Sequence, residues 1–193
     1  MKALLAALAL SASLATGAFA ADQYKFDASH SQILFSYDHL GFSTTYGLIS
    51  GFDGTATIDQ DNIENSSVQL EFALADLFNT GWKDRDTHFL SADFFNAETN
   101  PVAKFESTKV ESTGDDTAKI TGNLTLGGQT KEVVLDAKLN KIGEHPFNKK
   151  GWAGINATTT LKRSDFNAGK FAPAVSDEVN VTISVEMEKT EGA

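Results

Sequence analysis

Between Val179 and Met187 every second residue is apolar: Val179, Val181, Ile183, Val185 and Met187 alternate with Asn180, Thr182, Ser184 and Glu186. Successive strand side chains leave opposite faces, so this run reads as a β-strand with one dry and one wet face. The same period appears in Ile33-Phe35-Tyr37, Phe52-Gly54-Ala56-Ile58, Val68-Leu70-Phe72-Leu74, Ala103-Phe105, Ile120-Gly122-Leu124-Leu126, Val133-Leu135-Ala137-Leu139 and Ile155-Ala157-Thr159-Leu161. Roughly eight half-buried strands result, and the fold class is all-β.

Leu126-Gly127-Gly128-Gln129 is a short Gly-Gly hairpin signal between two alternating runs, so neighbours are antiparallel. Asp53-Gly54 is a second turn or bulge candidate. Periodicity does not separate a two-sheet sandwich from a closed barrel. Glycines 47, 51, 54, 122 and 154 fall inside strands, where they suggest bulges and tight coiling, and this favours the barrel. One segment breaks the period. From Asp84 to Phe95, Phe89, Leu90, Asp93 and Phe94 stand at helical spacings, and Asn100-Pro101 ends the pattern. A short helical crossover that closes one end of the sheet structure is expected there.

Met1-Lys2, an apolar run to Leu10 and the Ala18-Phe19-Ala20 site read as a cleavable secretory leader over residues 1–20. One β-barrel domain then occupies residues 21–193, exported to the periplasm. No later stretch is apolar for the ~20 residues a helical span needs, so no stable membrane anchor is expected. With no cysteine in the chain, stability must come from packing and strand pairing. The formal charge of −10 disfavours nucleic acid as a partner.

Catalytic patterns are missing. Cysteine is absent, no serine sits in a G-x-S-x-G elbow, and Gly127-Gly128 lies between strands rather than opening a helix. The histidines at 30, 39, 88 and 145 show no paired metal-ligand spacing. A metal-binding site or metal-dependent enzyme is conceivable only if folding gathers His30, His39 and His88 with Asp86. Arginine is scarcer than any other charged residue, occurring only in Arg85-Asp86 and Arg163-Ser164-Asp165. A planar guanidinium suits either an internal ion pair that ties the crossover to the barrel or a grip on a polar ligand head. Fourteen Phe are more than a tight aliphatic β core needs, which leaves a filled core and a ligand cavity equally open.

Several ordered stretches together resemble the YceI family of exported bacterial proteins: Asp27-Ala28-Ser29-His30-Ser31, His39-Leu40-Gly41, Asn79-Thr80-Gly81-Trp82, Arg85-Asp86-Thr87-His88, Asp93-Phe94-Phe95, Phe105-Glu106-Ser107, Gly122-Asn123-Leu124-Thr125 and Arg163-Ser164-Asp165-Phe166. The match runs from about Tyr24 to Glu188. It implies an eight-stranded antiparallel, lipocalin-like barrel with an elongated apolar cavity for polyisoprenoid or other amphiphilic chains, and no established catalytic residue. Gly127, Gln129, Glu132 and Asn167 depart from the family's usual residues; Asn at 167 tolerates the left-handed backbone that Gly would supply.

The resulting reading is a carrier that performs no chemistry, needs no cofactor and sequesters an isoprenoid, quinone or fatty-chain lipid. Its expected cavity lining is Ile33, Phe35, Tyr37, Phe52, Leu70, Phe72, Leu74, Phe89, Phe94, Phe105, Leu124, Val133, Leu135, Ile155, Val181 and Ile183. Its expected mouth is His30, Trp82, Arg85, His88 and Arg163. A ligand-free stress or interaction barrel is the other alternative, and a homodimer through an exposed strand face is compatible with the pattern.

Overall fold

A computed structural model describes residues 21–190. The leader expected at residues 1–20 lies outside the described residues. Eleven strands form one antiparallel sheet: β1 (Asp22–Phe26), β2 (Gln32–His39), β3 (Ser43–Ser50), β4 (Asp53–Ile58), β5 (Ser67–Ala73), β6 (Phe78–Asn79), β7 (Val102–Gly114), β8 (Thr117–Leu126), β9 (Gln129–Glu144), β10 (Gly151–Lys162) and β11 (Glu178–Lys189). Eight of them, β1, β4, β5 and β7 to β11, close on themselves through the β1–β11 pairing. Closure joins these eight strands without a break, and the expected barrel is therefore the fold.

The first strands are broken ones. Asp27 caps a 3₁₀ turn over Ala28–His30, so β1 and β2 meet different halves of β11: Tyr24 pairs with Lys189, and Ser36 with Asn180. Gly51, at φ +79°, bends the chain between β3 and β4. That corrects the turn expected at Asp53-Gly54, because both residues lie within β4 and pair with Glu71 and Leu70. A short helix, α1 (Leu74–Leu77), likewise separates β5 from β6. At this end β6 pairs only with β3, and the gap before β7 is taken by α2 (Lys83–Leu90) and the turns that follow. Asp84 and Asp86 in the first turn of α2 and His88 in its last turn suit the helix dipole.

The hairpin signal holds: Gly127 and Gly128 have φ +56° and +75°, the two positive values a type I′ turn needs, and Leu126 faces Gln129. Asn167 takes the left-handed conformation expected of it, at φ 60°. The strand glycines differ in part from expectation. Of these, Gly154 and Gly122 adjoin register shifts, the latter opposite Thr108, and Gly47, Gly54 and Gly122 provide clearance for rings. A Cβ on Gly122 would lie 2.4 Å from Phe105 Cζ and 2.7 Å from the Glu106 carbonyl oxygen; one on Gly47 would lie 2.0 Å from Phe35 Cζ. Gly122→Ala is expected to cost about 1–3 kcal/mol, since the new methyl meets both the Phe105 ring and a backbone carbonyl that cannot move aside as a side chain can. Urea unfolding of Gly122→Ala alone and with Phe105→Leu checks this, and failure of the second change to recover stability would remove the ring from the explanation.

The barrel interior is packed unequally along its length. Where β1 and β4 close it, Tyr24, Phe26, Phe52, Ala56, Ala153 and Met187 are almost wholly buried and fill the space. Phe52 stands against Phe26 and Phe72, with ring centroids 6.1 Å away in both cases. The half bounded by β2, β3 and the crossover holds the cavity.

Candidate functional site: an apolar cavity and its outer chamber

The inner cavity has a volume of about 170 Å³ and presents a wholly apolar surface. Of the side chains expected to line it, Ile33, Phe35, Tyr37, Leu70, Phe72, Leu74, Phe89, Phe94, Phe105, Leu124, Val133, Leu135, Val181 and Ile183 border the space. Phe52 and Ile155 do not. Both face inward as their alternation requires, but they sit at the filled end, Phe52 in the aromatic floor and Ile155 beside the β9–β10 register shift.

Further wall residues include two kinds, and Thr159, Lys162 and Arg163 also border the space. Leu161 and Val179 continue alternations already legible in their strands. Phe78, Phe95 and Phe166 come from the two-residue β6, the crossover and a 3₁₀ turn, where no period marks the inward side. Phe78 organises this region. Its ring stacks on Phe35 at 5.2 Å and takes Phe89 and Phe95 edge-on at 5.5 and 5.9 Å. Offset and edge-to-face contacts of this kind bind the crossover to β2.

Tyr37, Phe89, Phe94 and Arg163 border both the cavity and an outer chamber of about 630 Å³. Around the outer chamber stand His39, Trp82, Asp84, Arg85, His88 and Phe171. Four of the expected mouth residues, Trp82, Arg85, His88 and Arg163, thus border one chamber. Each is positioned differently: the Arg85 guanidinium lies 5.5 Å from the centre of the Trp82 ring, and His88 Nε2 is 3.1 Å from Asp93 Oδ2. Lys170, with His88, holds the Asp93 carboxyl below the ordinary range of an aspartate.

His30 is not at the mouth. It lies beyond the opposite end of β2 from His39, a separation of about 30 Å for nine extended residues. There its Nδ1 meets Asp27 Oδ2 at 2.7 Å, and that bond raises the imidazole pKa. The triad of His30, His39 and His88 is therefore not brought together, and Asp86 accepts instead from Thr80 through its backbone N–H and hydroxyl.

The ion pair considered for Arg85 is not formed with any described residue. Arg163 borders the chamber as expected, and its donors are committed to the main chain. Its Nε donates to Ser176 O at 2.8 Å, Nη1 to Ala168 O at 2.7 Å and Lys170 O at 3.2 Å, and Nη2 to Val175 O at 2.9 Å. This fork pins the loop between β10 and β11 to the end of the barrel. Sequence could flag the arginine, but its acceptors are main-chain carbonyls with no side-chain signature.

A family model described as the YceI-like domain matches residues 24–187, nearly all of the described chain. The chain belongs to the YceI-like family. A UPF0312 protein of Ectopseudomonas mendocina (strain ymp) is 41% identical over 189 residues, covering 96% of this chain and 97% of that protein. Among solved structures, Burkholderia cenocepacia BcnA superposes with a TM-score of 0.75 at 24% identity, covering 83% of this chain and 98% of BcnA. A polyisoprenoid binding domain from Saccharophagus degradans, implicated in plant cell wall breakdown, gives 0.64 at 15% identity over 86% of this chain and 98% of that one. At these identities the two structures establish a shared fold. In this YceI-like barrel, the cavity and outer chamber are built by the chain's own residues.

Proposed function

We propose that this protein is a periplasmic, non-catalytic carrier that sequesters the apolar tail of an isoprenoid or other long-chain amphiphile in its barrel, with the polar end in the outer chamber. The observation that carries the reading is the apolar surface of the inner cavity beneath a chamber rimmed by ionisable side chains. Each methylene removed from water contributes about 0.8 kcal/mol, part of which offsets the lost freedom of the chain. The polyisoprenoid-binding description of the Saccharophagus protein, which shares the fold, supports this choice of ligand class.

Mass spectrometry of an organic extract from protein purified out of its native periplasm is expected to yield a stoichiometric long-chain lipid. Displacement of a polarity-sensitive dye by a polyprenol is expected in the wild type and lost in Leu124→Trp, which fills the cavity from β8. Repeated extracts without lipid, together with no displacement by polyprenol, would return the fold to a ligand-free interaction barrel.

A further inference from the structure

Asp27, His30 and Glu186 meet on the outer wall of the barrel, where the chain passes from β1 to β2 alongside β11. None of the three borders the cavity or its chamber. Glu186 points outward because Val185 and Met187 on either side of it are buried. One ligand atom from each residue, a carboxylate oxygen or an imidazole nitrogen, lies within 4.8 Å of the other two. The backbone fixes this meeting: the Asp27 N–H donates to the Glu186 carbonyl at 2.8 Å, and the His30 N–H to the Asp27 carbonyl at 3.1 Å.

Each carboxylate is held by one oxygen and presents the other. Asp27 Oδ1 accepts from the Ser29 N–H at 2.9 Å and hydroxyl at 2.7 Å, which leaves Oδ2 facing His30 Nδ1 at 2.7 Å. Glu186 Oε2 accepts from the Trp152 indole N–H at 2.8 Å, while Oε1 receives no hydrogen bond from a described residue. Outer partners of this kind orient the ligands of a metal ion. No lysine or arginine among the described residues pairs with Asp27 or Glu186, although nearby acids of β1 and β11 are so paired, Asp22 with Lys189 and Glu188 with Lys150. Asp27 and then Glu186 instead favour positive charge on the His30 ring.

We infer that Asp27, His30 and Glu186 bind a divalent cation of the zinc class on the barrel wall, with Asp27 Oδ2, His30 Nδ1 and the Glu186 carboxylate as ligands and water completing the shell. The cation takes the place of the proton that His30 and Asp27 share. An ion about 2.1 Å from both of those atoms would see them about 80° apart, close to the right angle between neighbouring ligands of a six-coordinate shell. Bringing in Glu186 needs shifts of roughly 1 Å in partly exposed side chains. One imidazole among two carboxylates favours zinc over magnesium or calcium, which take oxygen ligands. Such an ion would tie the turn between β1 and β2 to β11, bridging the break that this turn makes in the wall. The inference is independent of what the cavity holds.

The two tryptophans make the test specific, because Trp152 touches the site whereas Trp82 borders the chamber. In Trp82→Phe, zinc chloride is expected to change the Trp152 emission and to saturate at one ion per chain, with magnesium chloride giving no response. Competition with a zinc-chelating dye is expected to show affinity lowered roughly tenfold or more in His30→Gln and in Glu186→Gln. His88→Gln and His145→Gln should bind as the wild type does. Glu186→Gln keeps the acceptor for Trp152, so it remains informative where His30→Gln disturbs the turn. Zinc is also expected to raise the urea midpoint of the wild type and not that of Glu186→Gln. Unchanged Trp152 emission, an equal response to magnesium, or zinc affinity unaltered in Glu186→Gln overturns the site.

Discussion

Phe78→Ala is expected to destabilise the protein by about 3–5 kcal/mol and to loosen the crossover before the barrel unfolds. Phe78 is 9% exposed and touches rings from both sides of the junction: Phe35 on β2, and Phe89 and Phe95 on the crossover. Its own strand has just two residues and pairs only with β3, so backbone hydrogen bonds do little to hold this corner. Truncation would leave Phe89 and Phe95 facing a hole continuous with the cavity, which the surrounding sheet cannot collapse to fill. Urea unfolding measures the loss, and amide exchange over residues 83–97 should accelerate more than in β7 to β11. A loss below about 1 kcal/mol, or uniform acceleration across all strands, would mean that the crossover is held by something other than this ring cluster.

Arg163→Ala should cost about 2–4 kcal/mol, and Arg163→Lys should recover little of it. Four hydrogen bonds from one guanidinium reach carbonyls at Ala168, Lys170, Val175 and Ser176. Removing the side chain strands these acceptors in a partly buried loop. A lysine ammonium cannot span the same set, because its donors radiate from one point instead of from three nitrogens of a plane. Water replaces part of what is lost, which keeps the estimate below the full cost of four unpaired groups. Comparable unfolding midpoints for Arg163→Lys and the wild type would show that charge alone, without the fork, holds the loop.

Much of the barrel was legible in the residues. Alternation identified the inward side of the strands because the pleat is a local property, set by neighbouring backbone units. The Gly127-Gly128 turn and the left-handed Asn167 were readable for a similar reason, since positive φ is a demand on single residues. The glycines were harder. Gly122 adjoins a bulge as its place in the strand suggests, but only the structure shows that Phe105, distant in sequence and adjacent through the β7–β8 pairing, occupies the space of its missing side chain.

Sequence by itself determined the all-β class, the dry and wet faces of the strands, the position of the helical crossover and the resemblance that led to the YceI-like family. Tertiary structure alone decided how far along the barrel the interior is filled. Inward-facing Phe52 and inward-facing Phe72 carry the same signal in an alternating strand, yet the bend at Gly51 and the closure of β1 on β11 bury Phe52 in the floor, while Phe72 borders the cavity. It also decided which charges share a space. His30 and His39 flank a single strand and are held apart by its length, whereas Arg85 and Arg163, far apart in the chain, reach one chamber through the closure of the sheet. Period and propensity act over a few residues; packing depth and charge neighbourhood depend on contacts between distant ones.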